Sequence, residues 1–226
     1  MPTPTVENYV KQIYLEQQAP GEGEGAAEAL VPMGRLAAAM GVVPGTATTM
    51  VKALADSGLV VYEPRGGVRL SRGGEQLALH VLRRHRLVEL FLVKVLGLDW
   101  SEVHEEAEEL EHAVSDKVLE RMDDVLGRPS VDPHGDPIPS AKGKVDESRH
   151  GSLADCPLNK PCRIARVIDQ DPAFLQFVDR CGLMPGVSVT VEVRDALADA
   201  VWVRPKDRRP LTLGTAAAAK ILVENA

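Results

Sequence analysis

At 226 residues and 44% apolar composition the chain has enough material for two or three small domains, each with its own core. It contains no run of 18 apolar residues and opens with no charged-then-apolar leader, so neither a membrane span nor secretion is indicated and a cytoplasmic location is expected. Three cysteines, Cys156, Cys162 and Cys181, are an odd set that argues against a disulfide framework and fits a reducing compartment. The net charge of -7 hides a split. Met33 to Arg86 carries eight Lys/Arg against three acids, whereas Leu87 to Leu126 carries twelve acids against three basic residues. Such a division suits one surface that meets a polyanion and another that gathers cations; two solvated faces are the plainer alternative.

In chain order, Thr5 to Gln18 reads as a helix whose apolar stripe is Val6, Tyr9, Val10, Ile13 and Tyr14. It ends at Ala19-Pro20-Gly21, and the Gly/Glu/Ala-rich stretch to Leu30 reads as a loop or frayed extension. A short helix from Met33 to Met40, a turn at Gly41 and a second helix from Gly45 to Ser57 give the helix-turn-helix pattern. Leu59 to Tyr62 and Val68 to Leu70 then flank a Gly66-Gly67 tip, which reads as a hairpin in the position of a wing. Thr46, Thr48, Thr49 and Lys52 fall on the presumed outer face of the second helix, and Arg65 and Arg69 are expected at the wing tip, placed to reach DNA phosphates or a groove. A helical pair and hairpin used only for packing is the alternative.

A long helical pattern runs from Gly74 through Val95 and stops at Gly97, and its width suggests a partly buried helix at a dimer interface. The next helix is capped by Asp99 or Ser101 and is expected to continue to about Val125. It carries His104, Glu108, Glu111 and His112 on one face, and His85 with Glu89 makes an i, i+4 pair on the preceding helix. Together these residues offer ligands for one or two divalent ions. A solvated acidic helix face is the commoner use of such residues, but like charges at i, i+3 and i+4 oppose the helix unless a cation offsets them. His104-Glu105-x-x-Glu108 lacks the second histidine of a zinc protease, the Glu-x-x-His of Glu109 to His112 has its only possible partner at Glu147 to His150 in irregular sequence, and no nucleotide or hydrolase fingerprint occurs. An enzyme is therefore not expected. Pro/Gly/Asp-rich sequence from 129 to 152 reads as a linker, and short β patterns at Arg163 to Ile168, Val187 to Val193, Val201 to Val203 and Ile221 to Val223, with a helical piece near Phe174 to Cys181, read as a small SH3-like barrel. Cys156 and Cys162 lack a zinc-ribbon spacing and read as ordinary thiols.

Taken together, Glu7 to Tyr14, the Asp56-Ser57-Gly58-Leu59-Val60 end of the winged helix, Arg84 to Glu89, Val103 to Ala107 leading to Glu111-His112, and Pro133-His134-Gly135-Asp136-Pro137-Ile138-Pro139 resemble the diphtheria toxin repressor family of metal-dependent regulators over nearly the whole chain. The resemblance implies a mostly α protein with small β content. Its parts would be a winged helix-turn-helix domain over 1–73, a helical dimerisation and metal-binding domain over 74–128, a linker over 129–152 and an SH3-like domain over 153–226. It assigns Asn8, Glu108, Glu111 and His112 to a primary metal site and His85, Glu89 and His104 to an ancillary one, to which the third domain adds Asp171. Glu108 stands where iron-sensing members carry cysteine and manganese-sensing members glutamate; Asn8 stands where manganese sensors have aspartate and iron sensors methionine, and Lys11 where manganese sensors often have another acid. The expected cofactors are Mn(II) or Fe(II), up to two ions per subunit, and the expected partners are a second copy of the chain and palindromic duplex DNA. The competing expectation is a metal-buffering helical protein whose winged helix meets a protein partner.

Overall fold

The computed structural model describes residues 2–18, 29–145, 148 and 150–225. Most of the Gly/Glu-rich stretch, residues 19–28, and Glu147 lie outside the described residues. Two compact units emerge, one of Met1–Arg84 with Pro139–Lys144 and one of His85–Ile138 with Val145–Ala226.

The first unit is a winged helix. Helix α1 (Pro4–Gln18) buries Tyr9, Val10 and Ile13, as the apolar stripe predicts. Helices α2 (Met33–Ala39) and α3 (Pro44–Asp56) follow, the latter opened by proline at its first position, where the missing N–H costs nothing. Strands β1 (Val60–Glu63) and β2 (Gly67–Leu70) pair antiparallel to make the wing. Gly67 is required there: its φ is +140°, and a Cβ would stand 2.4 Å from the Val31 carbonyl oxygen, in the bridge that ties Val31 to Val68. One apolar core joins α1, α2, α3 and the wing through Leu36, Ala47, Val51, Leu54 and Val68.

Helix α4 (Arg72–Lys94) is a single element whose residues from His85 onward belong to the second unit. The expected continuous metal-bearing helix is broken in two, α5 (Val103–Leu110) and α6 (Asp116–Val125). The reason is local: Ser115 takes an extended backbone and its hydroxyl accepts from the Val118 N–H at 3.4 Å, an N-cap that starts a new helix. Four carboxylates crowded on α5 weaken any continuation through that point.

The rest of the second unit is a six-stranded antiparallel sheet in the order β3-β8-β4-β5-β6-β7. Its strands are β3 (Gly151–Ser152), β4 (Pro161–Val167), β5 (Ser188–Asp195), β6 (Ala200–Pro205), β7 (Leu211–Gly214) and β8 (Ile221–Asn225), with α7 (Pro172–Cys181) and α8 (Thr215–Ala219) packed alongside. Period-two alternation foretells four of these strands. β3 and β7 are too short, and α8 too alanine-rich, to show a period. Trp100, just before α5, is buried in the same core as Ile164, Leu175, Val191 and Leu213, so the sheet and the α4–α5 connection share one apolar centre. The linker is also ordered by this sheet, since the Val167 N–H donates to the His134 carbonyl at 2.9 Å.

Candidate metal centre and nucleic-acid face

On α4, His85 and Glu89 stand one turn apart and both are buried, Glu89 to 1% exposure. A carboxylate so deeply buried demands compensation, and it finds imidazoles. Glu89 Oε1 lies 3.0 Å from His85 Nε2 and 3.2 Å from His104 Nδ1, and those two nitrogens are 3.2 Å apart. Burial pushes the Glu89 carboxyl up, but the charges and hydrogen bonds of His85, His104 and His134 outweigh it and hold the group well below the usual carboxylate range. His104 sits on α5 with nearly half its side chain exposed, so this group opens to solvent on that side.

The other edge of the same ring meets a second pair of acids. His85 Nδ1 is 2.6 Å from Glu111 Oε2 and 3.7 Å from Glu108 Oε1. Glu111, completely buried, is the first residue past α5 and keeps helical backbone angles, so the i, i+3 relation to Glu108 survives the helix break. His112 follows in the turn, its Nε2 3.4 Å from Glu111 Oε1. The geometry thus brings His85, Glu89 and His104 into one group and His85, Glu108 and Glu111 into another, with ligand atoms within 4.8 Å of one another in each. His85, expected in the ancillary set alone, stands between the two.

The donor set fits a hard divalent ion. It consists of carboxylate oxygens and imidazole nitrogens without thiolate, and Glu89 Oε2 is buried with no hydrogen-bond partner among the described residues. Asp171 does not join it. It is the exposed N-cap of α7, its Oδ1 accepting from the Phe174 N–H at 3.0 Å, and it falls in none of the ligand groups among the described residues. Asn8 lies half-buried on α1 of the first unit, beside a buried Glu7–Arg84 ion pair of 3.3 Å. Sequence reasoning passed over a third group, Glu89, Asp132 and His134, all buried. Its signal was present in Asp132-Pro133-His134-Gly135-Asp136, where an acid and an imidazole alternate with turn formers.

On the basic side, Thr46, Thr49 and Lys52 are exposed along α3 and Thr48 is half-buried. The Thr48 and Thr49 hydroxyls donate to the carbonyls of Pro44 at 2.8 Å and Gly45 at 3.0 Å, which leaves them methyls and acceptor lone pairs to present outward. Arg65 occupies the wing tip with φ of 69°, a left-handed turn position. Arg69 does not: it lies within β2 opposite Val61, half-buried, because the tip turns at Pro64 to Gly66 and the strand resumes at Gly67.

Three family models match the chain in succession: an iron dependent repressor N-terminal DNA binding domain over residues 1–68, an iron dependent repressor metal binding and dimerisation domain over 71–140, and an FeoA domain over 151–225. The iron-dependent repressor IdeR of Mycobacterium tuberculosis is 30% identical over 202 residues, covering 83% of this chain and 84% of the relative. The diphtheria toxin repressor of Corynebacterium glutamicum is 33% identical over 198 residues, covering 83% of each. Among solved structures, a manganese-dependent transcriptional repressor in complex with manganese superposes with a TM-score of 0.86 at 37% identity, covering 98% of this chain and all of that one.

Proposed function

Since the chain belongs to the family of iron-dependent repressors that includes the diphtheria toxin repressor, we propose that it is a metal-activated transcriptional repressor, binding palindromic operator DNA as a homodimer when Mn(II) or Fe(II) is bound and controlling metal-homeostasis genes. The observation that carries this reading is His85 held between Glu89 and Glu111, with His104 and Glu108 at its edges. No such convergence of buried acids and imidazoles is needed to hold two helices together. Metal bound there cross-links α4 to α5 and offsets the charge of the carboxylates.

Glu108, Glu111 and His112 form the chain's share of a primary site, with Asn8 of α1 added on the strength of the sequence resemblance; His85, Glu89 and His104 form the ancillary one. Oxygen donors at Glu108 and Asn8 favour the harder ions. His85, able to hydrogen-bond both carboxylates, keeps Glu89 and Glu111 in place before an ion arrives. A metal that favours one arrangement of the winged helices shifts the population toward the spacing that two major grooves accept, about 34 Å apart. The domain boundaries at about 73, 128 and 152 follow the same reading. Exposed Leu110, Val118 and Val125 on α5 and α6 supply apolar surface suited to a second copy. No described helix is long and apolar enough to cross a membrane, and a cytoplasmic, non-enzymatic role accompanies DNA binding. Metal buffering with a protein-binding winged helix is not favoured, because residues 1–68 match a DNA-binding domain.

Fluorescence anisotropy with a labelled palindromic duplex, selected from random sequence in the presence of Mn(II), tests the proposal. Mn(II) or Fe(II) should tighten binding about tenfold or more, with reversal by chelator. Equal affinity with metal and with chelator would remove the switch.

A further inference from the structure

Behind Glu89, on the side away from His85, three hydrogen-bond acceptors converge. His134 is fully buried, and its Nε2 lies 2.9 Å from the Trp100 carbonyl oxygen. A carbonyl only accepts, so Nε2 carries a proton, and the ring turns its other nitrogen, Nδ1, toward the carboxylates. That nitrogen stands 3.9 Å from Glu89 Oε2 and 4.0 Å from Asp132 Oδ1. His134 Nδ1, Glu89 Oε2 and Asp132 Oδ2 all lack a hydrogen-bond partner among the described residues. Acceptors facing one another in a dry pocket are costly unless something positive lies between them.

The pocket is built, not accidental. Asp132 Oδ1 accepts the backbone N–H groups of His134 at 2.8 Å and Asp136 at 3.0 Å, which fixes the turn. Gly135 (φ +87°) packs so tightly on β4 that a Cβ would stand 2.0 Å from the Ala165 carbonyl oxygen. The nearest cations do not fill the gap: Arg86 donates to the Pro137 carbonyl at 2.6 Å and keeps its Nε 3.6 Å from Asp132 Oδ2, while Arg166 pairs with Asp136. Glu89, Asp132 and Asp136 thus face two guanidiniums and leave an excess of negative charge.

We propose that Glu89, Asp132 and His134 hold a further divalent cation, Glu89 being shared so that Oε1 serves the His85–His104 group and Oε2 serves this one. The sharing rests on the metal-sensor reading; the pocket itself does not. One imidazole nitrogen and two carboxylate oxygens, all within 4.8 Å of one another, suit Mn(II), Fe(II) or Zn(II). The contrast in burial sets its role. His104 is 46% exposed and Glu108 34%, so ions there exchange with solvent, whereas every ligand of the inner group is enclosed. The inner ion is resident: it pins the linker to α4 and does not report the free metal concentration.

Metal counting on the full-length protein decides this. After equilibration with Mn(II), the protein is desalted with or without a brief exposure to EDTA, and Mn per protomer is measured by mass spectrometry. One equivalent should survive the brief EDTA treatment in the unaltered chain and be lost in His134→Phe, which keeps a ring but removes Nδ1. Should that variant fail to fold, anomalous diffraction at the Mn edge from crystals of the unaltered protein decides alone, with a peak expected between His134 Nδ1, Glu89 and Asp132. No peak there, a water in its place, or equal retention in a folded His134→Phe would overturn the inner site. If the sample not exposed to EDTA also holds only the retained equivalent, that counts against the sensor reading and leaves the inner site standing.

Discussion

Glu111 carries the most weight of any single residue. It is completely buried, bonds His85 at 2.6 Å and touches His112 at 3.4 Å, so it links both expected ligand sets. Glu111→Ala should abolish the Mn(II)-dependent gain in DNA affinity and remove at least one exchangeable equivalent from a binding isotherm, while size-exclusion chromatography still reports a dimer. A full metal response in that variant would show that the ligands are misassigned. A different chemistry attends Cys156. A hydrogen bond with Cys162 is the chief cause holding its thiol down to about 7; burial opposes the shift, and Arg194, with Nη2 3.4 Å from the sulfur, adds to it. Thiolate is the reacting form, so the rate of Cys156 alkylation by iodoacetamide should rise through a midpoint near pH 7. Arg194→Leu should move that midpoint upward, whereas Cys181, raised by burial, should titrate at higher pH in both proteins. A midpoint unmoved by the substitution would remove Arg194 from this account.

At the scale of elements, most of what the fold needs is written as periodicity. The stripe from Val6 to Tyr14, the helix pair and the Gly66-Gly67 hairpin place the winged helix correctly because each element buries its own repeat. The break between α5 and α6 was legible too, in Ser115-Asp116, but the long run of helix formers concealed it. The places of Asp171, a helix cap, and Arg69, inside a strand, were not legible for the same reason: a cap and a strand register are decided by a neighbour's backbone, which composition does not show. Asp132 and His134 are the harder case. Their partner Glu89 lies more than forty positions away, and only the docking of the linker on β4 brings them together. That docking depends on Gly135. Gly135→Ala forces a side chain into the Ala165 carbonyl at a positive φ, and urea unfolding should show a loss of roughly 2 kcal/mol or more. A change within about 0.5 kcal/mol would mean that the linker is free to move off the sheet.

For the molecule as a whole, the basic segment Met33 to Arg86 lies almost entirely in the first unit and the acidic segment Leu87 to Leu126 in the second. DNA reading and metal sensing are therefore separable by mutation. A Lys52→Ala, Arg65→Ala variant should bind Mn(II) normally and remain dimeric, and its log affinity for operator against log salt should flatten by roughly 0.9 for each phosphate no longer neutralised. An unchanged slope would mean that the winged helix meets the duplex by another face. Two separable activities make a sensor only if they are coupled, and coupling is reciprocal: whatever factor Mn(II) adds to operator affinity, operator must add to Mn(II) affinity. Calorimetric titration of the dimer with Mn(II), in the presence and absence of saturating operator duplex, measures that factor directly. Mn(II) should bind more tightly with DNA present, by the same factor seen in the DNA titrations, and the gain should vanish in Glu111→Ala; identical Mn(II) isotherms with and without operator would mean that metal and DNA binding are uncoupled and that the chain is no metal-activated repressor.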